Sequence, residues 1–199
     1  MSLKVGSNNI KDIKVGANSI SRVYKGSTLI WGYTPGFVIF ESSTAGSYTV
    51  NIKCKCKVTL AIVGGGSGGT WGWTEQVGSV KQGNSGGYIS GTTTISPGNY
   101  TVVIGAGGSG AGGSGYQYPG SGGDSSFANN VAKGAVAGVA FGGQGSGGTY
   151  SISSSGLTGQ NGGAPDTTGW INGYGAGGTA GYLSYANPGK AGYVKIVAV

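Results

Sequence analysis

Glycine tracts recur through the last two thirds of the chain and strongly limit what it can fold into. Four of them read GGGSGG, GAGGSGAGG, GGQGSGG and GYGAGGTAG, and the 199 residues include 47 glycines. A collagen triple helix is excluded, because glycine does not recur at every third position and only 5 prolines are present. A flexible linker is a poor match, since 12 Tyr, 4 Trp and 4 Phe supply more apolar surface than linkers carry.

Packed polyproline-II helices are the ordered form that fits these tracts. This geometry has three residues per turn and no internal hydrogen bonds, so an isolated glycine helix is unstable in water. Side by side, helices without Cβ atoms can approach closely, donate N–H groups to one another and add Cα–H···O contacts. Loops inserted between strands are the alternative, because Gly/Ser segments are commonly mobile.

The first tract also fits the glycine spacing of a dinucleotide-binding turn, at Gly64, Gly66 and Gly69. Such a turn must open a helix whose N-terminus faces the pyrophosphate. Here the tract continues into TWGWTEQVGSVKQGNSGG, which has no amphipathic helical pattern, and other tracts fit the spacing equally well. We therefore interpret these glycines as packing residues and predict no cofactor.

The chain offers no recognisable catalytic pattern. It contains no histidine, and its five acidic residues are scattered: Asp12, Glu41, Glu75, Asp124 and Asp166. No nucleophile has an identifiable base, and no group of side chains has metal-ligand spacing. We predict no catalytic residue, no metal site and no enzymatic activity.

Between the tracts, alternation of apolar and polar residues predicts strands. The longest pattern predicts one long strand, with Val50, Ile52, Cys54, Cys56, Val58, Leu60 and Ile62 on its apolar face and Asn51, Lys53, Lys55, Lys57 and Thr59 on the other. Further strands are predicted in FVIFES and SYTV, on both sides of SPGN, and in AGYVKIVAV, whereas helical periodicity is nearly absent. We predict an all-β fold with both cysteines buried and the lysines exposed.

A ten-residue repeat occupies residues 3–31, where Gly6, Gly16 and Gly26 recur together with Ile10, Ile20 and Ile30. Glycine next to short polar residues predicts a turn between two strands. We predict a small β-meander as a first domain, residues 1–33. The Gly- and Pro-containing break GYTPGF then leads into a second domain, residues 34–199.

The net charge of +7 is concentrated at the front of the chain, where residues 1–57 hold eight basic and two acidic residues. Lysines spread along strands are typical of a solvated face, so we do not predict nucleic-acid binding. No apolar stretch approaches the ~20 residues of a membrane span. The first residues lack the apolar region of an export signal. We expect no membrane span and synthesis in a cytoplasm.

Five segments appear in a distinctive order: VTLAIVGGGSGG, GGYISGTTTISPGNYTVVIGAGGSG, GGDSSF, GYGAGGTAG and PGKAGYVKIV. Through them, residues 58–199 resemble the glycine-rich domain family of phage tail-fibre and tail-tip proteins, some bacterial surface proteins and a receptor tyrosine kinase ectodomain. The resemblance implies a jelly-roll-like β-sandwich with an SPG hairpin and glycine helices packed beside it, sometimes within a homotrimer. Residues 3–31 resemble short modules near the ends of phage virion proteins.

The resemblance implies a virion structural protein, a tail-fibre or tail-tip adhesin made in the host cytoplasm. The N-terminal module would contact other virion proteins, and the glycine-rich part would contact a host glycan or protein. Aromatic residues in the tracts are the candidate ligand contacts, because rings stack on sugar faces: Trp71, Trp73, Tyr116, Tyr118, Trp170 and Tyr174. The same rings could instead cover the core or a subunit contact. A capsid or tail decoration protein without a receptor and a bacterial surface module are the alternative functions.

Overall fold

The computed structural model of this chain describes residues 4–5, 8–9, 13–15, 18–20, 22–25, 27–72, 80–112, 118–138, 144–182 and 185–199. Its strands within these ranges are β1 (Lys4–Val5), β2 (Asn8–Asn9), β3 (Ile13–Val15), β4 (Asn18–Ile20), β5 (Arg22–Lys25), β6 (Thr28–Gly32), β7 (Val38–Ser42), β8 (Gly46–Ile52), β9 (Cys56–Val63), β10 (Trp71–Gly72), β11 (Tyr88–Ile95), β12 (Gly98–Ile104), β13 (Ser125–Phe127), β14 (Asn130–Ala132), β15 (Tyr150–Ser151), β16 (Leu157–Gln160), β17 (Gly181–Tyr182) and β18 (Tyr193–Ala198). A short 3-10 turn spans Ile171–Gly173.

Two five-stranded antiparallel sheets form a β-sandwich. The first has the order β16-β11-β9-β18-β7 and the second the order β15-β14-β13-β12-β8. One apolar core lies between them, and Leu60, Ile62 and Phe127 are among its largest fully buried side chains. The predicted all-β sandwich is confirmed, while the jelly-roll connectivity stays a prediction.

The long alternating pattern belongs to two strands rather than one. β8 ends at Ile52 in the second sheet, and β9 begins at Cys56 in the first. Burial still alternates through the connection, because Cys54 is fully buried while Lys53 and Lys55 are exposed. Both strands turn their apolar residues toward one core, so the chain changes sheets without interrupting the alternation. The predictions of buried cysteines and exposed lysines are confirmed; the single continuous strand was wrong.

The SPGN turn makes a second crossing between the sheets. β11 ends at Ile95 in the first sheet, and β12 begins at Gly98 in the second. β11 pairs with β9 and β16, whereas β12 pairs with β8 and β13. The two strands do not pair with each other. The strands on both sides of the turn were predicted, but the hairpin that the resemblance implied was wrong.

A tight hairpin joins β13 to β14 within the GGDSSF region and its continuation. Its two connecting residues, Ala128 and Asn129, have φ of 48° and 62°, as a type I′ turn requires. Asn130 is fully buried, and its amide donates to the carbonyls of Phe127 and Ala128 at 3.2 and 3.1 Å. The side-chain oxygen also accepts from the backbone of residues 153 and 154. This one side chain therefore fixes the turn and the following loop.

The N-terminal repeat corresponds to three hairpins. β1 pairs with β2, β3 with β4 and β5 with β6, and one repeated glycine falls between the strands of each pair in the sequence. Each pair is a two-stranded sheet of its own within the described residues. Trp31 of β6 and Tyr33 just after it are buried in the sandwich core. Arg22 of that hairpin donates from Nε to the Tyr33 carbonyl at 2.7 Å.

The glycine tracts pack beside the sandwich as a hydrogen-bonded lattice. Its centre is residues 64–70, which continue from β9 and are all buried. The N–H donors of this central tract serve three neighbouring tracts in turn: Gly64, Ser67 and Thr70 donate to Gly87, Asn84 and Lys81; Gly65 and Gly68 to Gly123 and Gly120; Gly66 and Gly69 to Lys190 and Asn187. A repeat of three residues is the period of polyproline-II geometry.

The carbonyls of the central tract face three further neighbours. They accept from Ala135, from Gly108 and Ala111, and from Gly178 and Gly181, at 2.8 to 3.2 Å. The three acceptor tracts, 80–87, 118–124 and 185–192, run toward the sandwich; the three donor tracts, 105–112, 133–137 and 175–182, run away from it, parallel to residues 64–70. Six neighbours around one helix form a laterally closed array, so the prediction of packed glycine helices is confirmed.

The dinucleotide-type glycines serve this packing. Cβ atoms added at Gly64, Gly66 and Gly69 would lie 2.2, 2.0 and 2.3 Å from backbone carbonyl oxygens of neighbouring tracts. Their N–H groups are already donated to Gly87, Lys190 and Asn187. Both the space and the donors that a pyrophosphate would need are therefore occupied by protein backbone.

Candidate functional site

The lattice has a free end, remote from the sandwich, that we call the tip. At the sandwich end of the central tract, Gly64 donates to the carbonyl of Gly87, the residue before β11. Thr70 lies two helical turns farther from the sandwich. The tip comprises residues 70–72, 111–112, 118, 181–182 and 185. Hydrogen bonds hold these ends together, since Gly181 donates to the Thr70 carbonyl at 3.2 Å and Ala186 donates to the Ala111 carbonyl at 2.8 Å.

Two exposed tyrosines, Tyr118 and Tyr185, lie at the tip, together with the backbone of Trp71. Trp71 lies in β10, whose backbone pairs in parallel with β17 at Gly181. Tyr118 is 65% exposed and Tyr185 is 74% exposed, the two largest exposed fractions among the large hydrophobic side chains described. The ring of Tyr185 contacts Gly112, where an added Cβ would lie 2.4 Å from its Cδ1. Two of the six predicted ligand contacts, Trp71 and Tyr118, are thus placed at the tip.

Trp73 and Tyr116 fall outside the described residues. The described residues that flank their segments, Gly72, Val80, Gly112 and Tyr118, belong to the tip or to the tract ends beside it. Tyr185 was missed by sequence reasoning, which considered aromatics within the tracts. The sequence feature that could have identified Tyr185 is its position in GYLSYANPG, the segment that connects a tract running away from the sandwich to one running back toward it.

Trp170 and Tyr174 lie elsewhere, in an aromatic belt with Tyr88 and Tyr193 where the sandwich meets the lattice. Trp170 stacks on Tyr88 at 5.0 Å between ring centroids, and its Nε1 donates to the Gly86 carbonyl at 2.6 Å. Tyr174 stacks on Tyr193 at 4.5 Å with the rings 4° from parallel. Tyr88 and Tyr193 both pair with Val63 of β9, from opposite sides, so the belt follows one row across the first sheet.

A charged network closes one side of the belt. The Tyr193 hydroxyl donates to Glu41 Oε1 at 2.5 Å, and Lys195 Nζ lies 3.1 Å from Glu41 Oε2. Burial and the Glu41 carboxylate raise the pKa of Tyr193, while the hydrogen bonds from Tyr193 and Lys195 lower the pKa of Glu41. Tyr193 is only 4% exposed, so the belt buries ring faces that the tip leaves open.

A family model described as a glycine-rich domain matches residues 42–197. The chain belongs to the glycine-rich domain family. A search of curated proteins found no match. The matched range of the glycine-rich domain includes the lattice, the tip and every strand of the sandwich except most of β7. The three hairpins precede it. Within the part of the chain that the structure describes, no helix is long and apolar enough to cross a membrane.

Proposed function

We propose that this glycine-rich domain protein is a phage tail-fibre or tail-tip adhesin whose tip contacts the host surface. The observation that carries the proposal is the exposure of Tyr118 and Tyr185 at the end of a six-neighbour lattice. Tyr and Trp provide large contact area at small entropic cost, because each has only two rotatable side-chain bonds. In this proposal the protein binds rather than catalyses.

The lattice suits this role because it fixes the tip backbone before any ligand arrives. The tract ends carry hydrogen bonds up to Thr70, Ala111 and Gly181, so little backbone order remains to be gained on binding. Preorganisation of this kind lowers the entropic cost of association. Flat rings with backbone amides nearby fit a host glycan, with a host surface protein as the second class of receptor.

The opposite end of the molecule would attach to the particle. The third hairpin contacts the sandwich at the end remote from the lattice, where Trp31 enters the core and Arg22 donates to the Val199 carbonyl just after β18. We propose that the N-terminal module, hairpins β1 to β6, contacts other virion proteins, which places the finished protein in the virion. Deleting residues 2–20 removes the first two hairpins, leaves Arg22 and Trp31 in place, and should then spare binding to cells and abolish incorporation into particles.

The test compares two matched pairs of exposed tyrosines. Tyr118→Ala with Tyr185→Ala removes tip rings, while Tyr24→Ala with Tyr150→Ala removes rings that are 48% and 41% exposed in β5 and β15. Fluorescent protein is titrated onto a panel of bacterial strains, and circular dichroism and light scattering check fold and oligomeric state, including a homotrimer. We expect the tip pair to weaken cell binding by about tenfold, about 1.4 kcal/mol, and the control pair to leave it unchanged.

Equal binding by the two double variants would contradict the adhesin proposal. Imaging labelled particles then separates the remaining possibilities. A label at the distal end of a tail agrees with the adhesin, and a regular array over the capsid or tail tube indicates decoration without receptor binding.

A further inference from the structure

We infer that the base of the molecule, the end of the sandwich opposite the tip, docks onto an acidic protein surface through Lys53, Lys55 and Lys57. The inference rests on the proposed function, because it names the chemistry of the partner on the attachment side. It adds to the hairpin module a contact surface contributed by the sandwich itself.

The three lysines form one exposed row. They occupy the crossing from β8 to β9 and the second position of β9, and the residues between them, Cys54 and Cys56, are buried. The chain crosses from the second sheet to the first at these residues. The row therefore follows the edge of the base and presents three ammonium groups along it, from the side of one sheet to the side of the other.

Two other lysines of the sandwich and lattice are paired with acidic residues. Lys133 pairs with Asp124 at 2.8 Å, and Lys195 pairs with Glu41 at 3.1 Å. No ion pair joins any lysine of the row to a described acidic residue. Three like charges within five residues repel one another, so the row gains from a partner that brings carboxylates.

The row is continuous with the third hairpin. The Tyr33 hydroxyl accepts from the Lys53 N–H at 3.1 Å and donates to the Asn51 carbonyl at 3.4 Å. Arg22 holds the Tyr33 carbonyl, and Lys25 at the end of β5 is exposed. The attachment surface therefore extends from the third hairpin onto the sandwich.

An acidic protein fits this row better than a nucleic acid does. Proteins that hold single strands interleave basic residues with aromatic stacking platforms, whereas the side chains between these lysines are two buried thiols. Two acidic residues accompany the eight basic ones in residues 1–57, and one of them, Glu41, already binds Lys195. Charge complementarity thus specifies a partner surface rich in Asp and Glu.

The experiment uses two triple variants of equal net charge in the full-length chain. Lys53→Gln, Lys55→Gln and Lys57→Gln remove the row; Lys81→Gln, Lys133→Gln and Lys190→Gln are the control. Fluorescence anisotropy measures binding to a labelled peptide of alternating Glu and Thr and to duplex DNA of about 20 base pairs, at about 50 and about 300 mM NaCl. Binding to bacterial cells is measured in parallel.

We expect the row variant to bind the peptide about tenfold more weakly than wild type at low salt and the control to change by less than about twofold. Both should keep wild-type cell binding, so a failure at the tip and a failure at the base give different results. Equal weakening by both triple variants would overturn the inference, because net charge alone would then explain binding. Tighter binding of DNA than of peptide, lost in the row variant, would also overturn it and assign the row to nucleic acid.

Discussion

Gly108→Ala tests whether the lattice is a packed structure. Gly108 donates to the Gly66 carbonyl and accepts from Gly189, both at 2.8 Å, so it lies inside the array. Its φ is not positive, and alanine can adopt its backbone conformation. The added methyl would nevertheless lie 1.9 Å from the Gly120 carbonyl oxygen. The cost is therefore steric and comes from the neighbouring tract.

The magnitude follows from the movement that relieves this contact. A carbon and an oxygen need about 3.3 Å, so tracts 105–112 and 118–124 would have to separate by roughly 1.4 Å from the 1.9 Å contact. That movement breaks the bonds from Gly68 to Gly120 and from Gly120 to Ser109, now 3.0 and 2.7 Å long. The loss of two hydrogen bonds, one of which leaves the N–H of the buried Gly68 unsatisfied, amounts to about 3 kcal/mol.

The assay is thermal and urea unfolding, with Ser109→Ala as the matched control in the same tract. Ser109 is exposed and already carries a Cβ, so its loss should change stability by less than about 0.5 kcal/mol. For a chain of this size, about 3 kcal/mol corresponds to a fall in Tm of roughly 6 to 12 °C. If Gly108→Ala melts within about 1 °C of Ser109→Ala, the tracts behave as loops and the reasoning is refuted.

Three further outcomes follow from buried or paired side chains. Asn130→Ala should cost about 3 kcal/mol in urea unfolding, since it removes a buried amide that fixes the β13–β14 turn; a loss below about 1 kcal/mol would contradict that role. The lowered pKa of Glu41 means that its interaction with Tyr193 stabilises the fold above the ordinary carboxyl pKa of about 4.3 and is lost as pH falls through the lowered value. The Tm difference between wild type and Glu41→Gln should therefore vanish at acid pH, and a constant difference would argue against it. Both thiols are buried, with Cys54 0% and Cys56 6% exposed, so thiol reagents should label the folded protein about 100-fold more slowly than the denatured chain; equal rates would show that the burial is wrong.

The sequence predicted the parts of the fold that depend on local pattern. Alternation from Val50 to Ile62 identified every buried position correctly because both sheets use the same core. It could not reveal the crossing at residues 53–55, since a change of sheet leaves the period of two intact. The repeated glycines at 6, 16 and 26 similarly marked the three hairpins, because turns depend on neighbouring residues.

The arrangement of the tracts was beyond local reasoning. Their close packing follows from the absence of Cβ atoms, but near-identical tracts give no sequence signal for which neighbour each N–H selects. Ser67 and Thr70 are an exception, since they lie three residues apart and both bond the 80–87 tract through side-chain oxygens. The same limit applies to the six aromatic candidates. Their aromatic side chains suggested ligand contacts. Residue type cannot, however, distinguish Trp71 and Tyr118 at the tip from Trp170 and Tyr174 in the belt, because that depends on the direction in which each tract runs.

The orientation of the central tract determines how the molecule would respond to tension. Residues 64–70 run lengthwise between sandwich and tip, while their hydrogen bonds point sideways to six neighbours. A pull along this axis stresses the lateral bonds in shear, so that many must yield together. A sideways pull on an edge tract would open its bonds one after another, as in a zipper. The fold should consequently resist an axial force far better than a transverse one, a mechanical anisotropy that arises almost entirely from backbone atoms.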